Sequence, residues 1–424
     1  MCTRGRAAAI NSPYRERDLP LYLCIRVLSQ VAVLVQSVSI GWQVYDLTHS
    51  PLALGIVGGV EFVPMFLLAL PAGELADRFD PRRIVTLASL LEAAASALLL
   101  LFIRTRQTAV WPLFAVVLLY GTARGFSRPA TRSLLPFLVP PEKLSKSIAW
   151  GSSVTQLAVI GGPALGGFAY ALGPAIAYGC ALVGSLLSAA GMLFLGGRRV
   201  TSDATALASR LARVREGIEF VRSRPVVFGA ISLDLFAVLL GGAFALLPVY
   251  ASDILHVGPT GLGLLRSAPA FGAALTALYL TRRPVERRVG HTMFAAVGIF
   301  GVGTLVFGLS KDFGLSLAAL AVTGAADQIS VYIRAALVQF ATPDAMRGRV
   351  SSVSTLFISA SNELGGFESG VTAALLGTVP AVMLGGVGTL VVVAIWMRVF
   401  PPLRTVDRLQ DVAPSGDAFS PEAE

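Results

Sequence analysis

The chain has 424 residues, 54% of them hydrophobic and only 14% charged, with a net charge of +9 and a mean hydropathy of +0.71. A soluble domain carries about 25% charged residues, so a deficit over this whole length puts the apolar surface against lipid. At about 20 residues per spanning helix the length suits about twelve spans. The positive charge does not make a nucleic-acid surface, because the arginines sit in short loops between apolar runs and form no continuous basic face.

Residues 1–19 carry Arg4, Arg6, Arg15 and Arg17 ahead of a long apolar run from Leu19. A cleaved signal peptide has a shorter apolar stretch and a small-residue cleavage site, so this reads as a retained first span with a cytoplasmic N-terminus. Apolar runs predict six spans, over 20–46, 51–74, 83–103, 110–134, 145–171 and 174–196. A polar stretch over 197–224 follows, in which Leu207, Leu211, Val214, Ile218 and Val221 recur at helical spacing. That pattern predicts an amphipathic connector lying at the cytoplasmic interface. Six more runs cover 225–252, 260–281, 289–309, 313–340, 348–376 and 378–399. The tail over 400–424, rich in Pro, Ser and acidic residues, predicts disorder.

Loop charges alternate along this order. One side has the N-terminus, Arg78, Arg82 and Arg83, then Arg132, Lys143 and Lys146, the arginines of the connector, Arg282, Arg283, Arg287 and Arg288, Arg347 and Arg349, and Arg398, Arg404 and Arg408. The other side has only Arg104, Arg106 and Lys311. The positive-inside bias then puts both termini in the cytoplasm and makes the span number even. Pro141-Glu-Lys-Leu-Ser-Lys-Ser-Ile148 after the fourth span is echoed by Pro343-Asp-Ala-Met-Arg-Gly-Arg-Val350 after the tenth, about half the chain length further on. The expected fold is an all-α membrane protein of twelve transmembrane helices in two pseudo-symmetric six-helix bundles. Residues 1–196 form the N-terminal bundle, 197–224 the connector, 225–399 the C-terminal bundle and 400–424 the cytoplasmic tail.

Three features, the third made of two stretches, carry a resemblance. Between the second and third spans lies Gly73-Glu-Leu-Ala-Asp77-Arg78-Phe-Asp80-Pro81-Arg82-Arg83. In the fifth span lies Gly161-Gly162-Pro163-Ala-Leu-Gly166-Gly167. Ser223-Arg-Pro225 precedes the seventh span, and Thr342-Pro-Asp-Ala-Met-Arg-Gly-Arg-Val350 follows the tenth. The first resembles the signature loop of major facilitator superfamily transporters, although Asp80 and Pro81 stand where that family usually has glycine and a basic residue. The second is similar to the antiporter motif of that superfamily's drug exporters, with Ala158 in place of its upstream glycine. The third resembles the bacterial branch holding the enterobactin exporter and macrolide efflux proteins. The resemblance covers roughly residues 15–400. It implies that Gly73 allows close helix packing, and that Asp77 faces the positive N-terminal end of the eleventh helix near Val350–Ser354. Arg78 and Arg82 would join a gating charge cluster. The second half's loop over 281–288 keeps the arginines but lacks the Gly and the Asp. Gly162, Pro163, Gly166 and Gly167 would form a smooth, kinked face for helix contact.

Ionisable groups within a span are expensive and point to function. Glu61, Glu92 and Asp234 each lie about nine or ten residues into a span, roughly 15 Å deep at 1.5 Å per residue, near the midplane. By family analogy the first, fourth, seventh and tenth spans line the cavity. Asp234 is then the leading proton-coupling candidate and Glu61 the second, because a desolvated carboxylate readily loads and releases a proton. Glu92 reads as a structural hydrogen-bonding residue. Arg26, Gln30 and Ser37 share a face of the first span, Tyr120, Arg124, Arg128 and Arg132 a face of the fourth, and Asp327 and Arg334 lie two turns apart on the tenth. Of these, Arg26, Gln30, Tyr120, Arg124 and Asp327 are the substrate-cavity candidates, suited to anionic or polar groups. Arg128, Arg132 and Arg334 fall near the cytoplasmic end, where long side chains snorkel.

Cys2, Cys24 and Cys180 have no metal-ligand or disulfide spacing, and His49, His256 and His291 are scattered. No metal, cofactor or catalytic constellation is expected, and no phosphate-binding Gly-x-x-x-x-Gly-Lys-Ser/Thr loop occurs. The expected activity is secondary transport: proton-coupled antiport of a small molecule such as a drug or siderophore, out of a bacterial inner membrane, by a monomer. The alternatives are an importer or lysophospholipid flippase on the same fold, or a membrane-embedded enzyme.

Overall fold

The computed structural model describes residues 17–105, 109–196, 207–241, 243–344 and 346–412. Its described residues are almost wholly helical. The first half holds α1 (Asp18–Thr48), α2 (Pro51–Arg78), α3 (Pro81–Arg104), α4 (Trp111–Leu138), α5 (Pro141–Leu172) and α6 (Pro174–Phe194). A connector helix, α7 (Leu207–Ser223), leads to α8 (Pro225–Leu240). Beyond α8 the chain passes through a 3-10 turn (Ala243–Leu246), the single turn α9 (Leu247–Val249) and a π turn (Tyr250–Ile254). Then come α10 (Gly258–Arg282), α11 (Val289–Leu309), α12 (Phe313–Ala341), α13 (Arg347–Leu376), α14 (Thr378–Val399) and the short α15 (Pro401–Thr405).

Ten of these segments are long and apolar enough to cross a membrane. The other two of span length, α4 and α13, are 28 and 30 residues long. They fall short in apolar character because they carry Arg124, Arg128, Glu363 and Glu368. Both pack against helices on more than one side, α4 on α2 and α3, and α13 on α2, α8 and α14. This packing removes much of their surface from lipid, where such charges are costly.

Prolines fix several helix starts. Pro51, Pro81, Pro141, Pro174 and Pro225 each stand in the first turn of a helix, where a missing N–H costs nothing. This accounts for the departure at 80–81. The Asp80 carboxylate accepts from the Arg82 backbone N–H at 3.0 Å and so caps α3, while Pro81 supplies the preset backbone angle of the first position.

The two halves pack alike. In the first, α1 lies against α5 and α6, α2 against α4, and α3 against α4 and α6. In the second, α8 lies against α13 and α14, α10 against α12, and α11 against α12 and α14. Replacing each helix by its counterpart six spans later turns one list into the other. The final hairpin of each half is also the same. A single glycine with positive φ joins α5 to α6 (Gly173, φ 143°) and α13 to α14 (Gly377, φ 91°). An L side chain is strained at such angles, so the sequence uses glycine at both.

Three expectations are corrected here. The seventh span is not one continuous helix over 225–252; it breaks after Leu240 at Gly241, with a second glycine next in sequence and Pro248 soon after. Glycine pairs and proline are the usual causes of such a break, and the broken stretch is buried at Leu246, Leu247 and Tyr250. The connector's apolar face, Val214, Ile218 and Val221, packs on Val227, Val350 and Val353 of the second half, so it covers protein where a membrane surface was expected. The tail is structured at its start: α15 packs on α8 and α11 and a 3-10 turn over Leu409–Val412 packs on α12, with Leu403 buried and the Gly290 N–H donating to the Val406 carbonyl at 3.0 Å. Pro and charge suggested disorder from 400, but Leu403 and Val406 supply enough apolar contact to hold this segment. Residues 413–424 lie outside the described residues, as do 1–16 and 197–206.

Candidate functional site

The arginine-rich loops define one face of the molecule and the described loop residues 49–50, 105, 109–110, 173, 255–257, 310–312 and 377 the other. The largest core cluster lies toward this second, arginine-poor face and takes residues from both halves, among them Tyr45, Leu54, Leu99, Tyr178, Leu247, Leu262 and Phe307. Toward the arginine-rich face the cores are separate. One belongs to the first half, around Tyr22, Leu134 and Met192, and two belong to the second.

Two helix pairs make most of the contact between the halves, α5 with α10 and α2 with α13. Both close on glycines near the arginine-poor face. A Cβ placed on Gly167 would lie 2.9 Å from the Gly263 Cα, and one on Gly55 would lie 3.0 Å from the Gly370 Cα. Gly162 and Gly166 of the same motif admit Leu34 and Val35 of α1, whereas Gly161 faces open space. The stretch read as an antiporter-like motif is thus a two-sided packing face, turned to α1 on one side and to the other half on the second. Hydrogen bonds between the halves lie at mid-depth or beyond it toward the same face. Tyr45 donates to Asp253, Arg266 to Ser37 at 3.4 Å, and Gln156 to the Ala270 carbonyl at 3.2 Å.

At mid-depth, charged groups from both halves converge around Tyr120. Its ring lies under the Arg124 guanidinium at 5.6 Å, and its hydroxyl donates to the Val33 carbonyl of α1 at 2.8 Å. Arg124 forms an ion pair with Glu61 of α2. Arg128, one turn on, reaches the Met65 sulfur at 3.3 Å. From the second half, Glu363 of α13 and Arg266 of α10 act electrostatically on the same group. Glu61 of the second span is therefore brought to Arg124 and Tyr120, which share a face of the fourth.

The other candidates lie elsewhere. Arg26 donates to Thr155 of α5 at 2.7 Å and to the Tyr22 hydroxyl at 3.1 Å, holding α1 to its own half. Gln30 is half-buried one turn further along α1. Asp327 does not join the group around Tyr120. It lines a small cavity inside the second half, with Asp234. Asp234 forms a deeply buried ion pair with Arg334. That corrects the reading of Arg334 as a snorkelling residue: it is 4% exposed. Glu92 also differs from expectation. It is buried beside Ser96 and Gln36, yet its Oε2 has no hydrogen-bond partner.

In the loop after α2, Arg82 is paired with Asp80 at 2.9 Å and donates to the Leu195 carbonyl at 2.8 Å, so these contacts tie it to α3 and the end of α6. Gly73 lies inside α2. The side chains of Asp77 and Arg78, like that of Arg132, lie outside the described residues. Arg266 was missed by sequence reasoning. Its signal was a lone arginine six residues into the apolar run over 260–281, overlooked because the analogy leaves the eighth span out of the cavity-lining set. Its side chain crosses to α1, where a Cβ on Gly41 would meet its Nη2 at 2.9 Å, and its Nε has no partner. Among the described residues no group of histidines, cysteines and carboxylates could hold a metal ion.

A twelve-span pattern of this kind has known counterparts. The enterobactin exporter EntS of Citrobacter koseri is 27% identical over 384 residues, covering 89% of this chain and 91% of the relative. EntS of Shigella dysenteriae serotype 1 is 24% identical over 387 residues, with the same coverage. Among solved structures, a bacterial homolog of the human lysosomal transporter Spinster, inward-facing and occupied, superposes with a TM-score of 0.71 at 13% identity, covering 97% of this chain and all of the other. A bacterial homologue of the iron transporter ferroportin, inward-facing, gives 0.68 at 18% identity, covering 92% and 99%. The family model described as transmembrane secretion effector matches residues 9–422. The chain therefore belongs to the transmembrane secretion effector family of the major facilitator superfamily, and it is a multi-pass membrane transporter, not an enzyme.

Proposed function

We propose that this transporter is a proton-coupled exporter of a small molecule, working as a monomer in a bacterial plasma membrane with both termini in the cytoplasm. The observation that carries this reading is the charged group at mid-depth between the halves, with Glu61, Arg124 and Arg128 on one side and Arg266 and Glu363 on the other. It sits beneath the glycine contacts that join the halves near the arginine-poor face. A site enclosed by two pseudo-symmetric bundles is what alternating access requires. The arginine excess and the unpartnered Arg266 Nε favour a substrate with anionic or polar oxygen groups. The relatives named as enterobactin exporters point to the same chemistry, a siderophore or a drug of similar character.

In this reading residues 1–196 and 225–399 move as two bodies joined by 197–224. The arginine-poor face is external and closed, so the site opens to the cytoplasm. Gly73, Asp77, Arg78 and Arg82 belong to the cytoplasmic face that must close when the external face opens. Protons enter in exchange for substrate, using the carboxylates near the midplane, Asp234 and Glu61. Each has an arginine partner, so protonation would loosen an ion pair and change how two helices hold each other. The test is cell accumulation of enterobactin with and without the protein. Export predicts a lower cell content when the protein is present; a higher content would mean import.

A further inference from the structure

Asp234 and Asp327 both line a cavity of about 10 Å³ inside the second half, together with Ala237 and Val238 of α8, Val297 and Phe300 of α11, and Ser330 of α12. That is about the least volume that holds one water molecule. Three features make this more than a pair of acids. Arg334 pairs with Asp234, whereas the Asp327 carboxylate takes no hydrogen bond and forms no ion pair among the described residues. Ser330 is 2% exposed, and its hydroxyl has no partner although it lines the same cavity. No residue of the first half takes part.

Charge balance decides what the pocket needs. Two carboxylates face one guanidinium at membrane mid-depth, where an uncompensated charge is costly. Around Tyr120 the balance differs, because Glu61, Glu92 and Glu363 face Arg124, Arg128 and Arg266 and leave no carboxylate in excess. The other elements add no charge to the pocket. From α8 the charged group is Asp234 alone, α11 offers Val297 and Phe300, no residue of α10 or α13 lines the cavity, and α12 itself supplies Arg334.

We infer that this pocket is a dedicated site for one proton, held on Asp327 with Ser330 and one water as its hydrogen-bond partners, and separate from the substrate site between the halves. The inference refines the proton-coupled reading above, in which Asp234 and Glu61 served the proton, by placing it on Asp327, and rests on that reading for its role in transport. The proton is taken from water by an Asp327 carboxylate oxygen and returned to water from the same oxygen; no other bond forms or breaks. When it leaves, Asp234 and Asp327 compete for Arg334, and α8 and α12 are held differently. That change has a route to both working surfaces. Val238 of the pocket wall packs on α13, where a Cβ at Gly365 would lie 3.0 Å from the Val238 carbonyl oxygen, and α13 carries Glu363. Beyond its break, the chain of α8 reaches Asp253, which closes on Tyr45.

The experiment is an infrared pH titration of the purified full-length protein, reading the carbonyl stretch of protonated carboxyl groups, paired with pH-driven uptake of enterobactin into proteoliposomes. In the difference between wild type and Asp327→Asn, one protonated-carboxyl band should be lost. Ser330→Ala should shift that band, Glu61→Gln should leave it in place, and Asp327→Glu should restore it, which separates proton binding from misfolding. A spectrum of Asp327→Asn equal to wild type overturns the site, as does a band removed by sodium chloride and not by raising pH. In vesicles Asp327→Asn should reduce pH-driven accumulation to the level of protein-free liposomes. Wild-type uptake that ignores pH while the band is present would keep the proton site and refute the coupled reading. pH-driven uptake that survives Asp327→Asn would do the reverse.

Discussion

Gly167 is the position where one added methyl group says most about how the halves close. A Cβ there would lie 2.9 Å from the Gly263 Cα and 3.0 Å from its nitrogen, and would overlap the Pro259 carbonyl oxygen. All three are backbone atoms, which cannot swing aside as a side chain could. Ordinary contact needs 3.4–4 Å, so α5 and α10 must separate by roughly 0.5–1 Å, an overpacking that costs about 1–3 kcal/mol. The contact exists only while the arginine-poor face is closed. The cost therefore falls on that state alone and shifts the conformational balance roughly 5–150-fold toward opening. Spin labels at His49 and His256, exposed residues on opposite halves of this face, report the change as a longer distance in Gly167→Ala, with Cys2, Cys24 and Cys180 replaced. Gly161→Ala is the control, because a Cβ there meets nothing within 4 Å. Equal distance distributions in Gly167→Ala, Gly161→Ala and the parent would refute the claim that this contact holds the face shut.

Removing one partner of a buried ion pair usually costs about 3–5 kcal/mol. Asp234→Asn should cost less, because Asp327 remains to face Arg334, while Asp234→Asn with Asp327→Asn should cost the full amount; thermal unfolding in detergent distinguishes the two, and equal losses would count against a shared arginine. Arg266→Ala should weaken binding of enterobactin by roughly 10–150-fold, the loss expected for a hydrogen bond to a charged group, with Arg266→Lys recovering part of it by titration calorimetry. Asp80→Ala removes the α3 cap and should lower stability by about 0.5–2 kcal/mol while leaving substrate affinity as it was; a change in affinity would mean the cap also acts on the site.

How much of this was legible depended on whether the signal was local. Span positions, the connector helix and the charge alternation are written in runs of neighbouring residues, and the family loop at 73–83 added the fold. Proline starts and the Asp80 cap are local too, and could have been drawn from Asp80-Pro81 directly. The matched turns at Gly173 and Gly377 are single residues, too short to register as a repeat until their backbone angles are seen. Pairings across helices were not legible. Arg334 meets Asp234 across 100 positions of chain, and an arginine near a span end reads the same whether it snorkels or turns inward. Arg266 was hidden by analogy, since a flanking helix was not expected to send a charge to α1. Asp327 was assigned to the shared cavity by helix number alone, and its actual place depends on which side of α12 meets α8 and α11.

The central claim is that a proton gradient drives substrate out of the cell through this chain. Everted membrane vesicles test it most directly, with an acid interior imposed and enterobactin supplied outside. The account predicts uptake into the vesicles, a rise in interior pH as protons leave in exchange, and loss of both when the gradient is collapsed. Enterobactin uptake that proceeds equally without the gradient, or moves no protons, would contradict it.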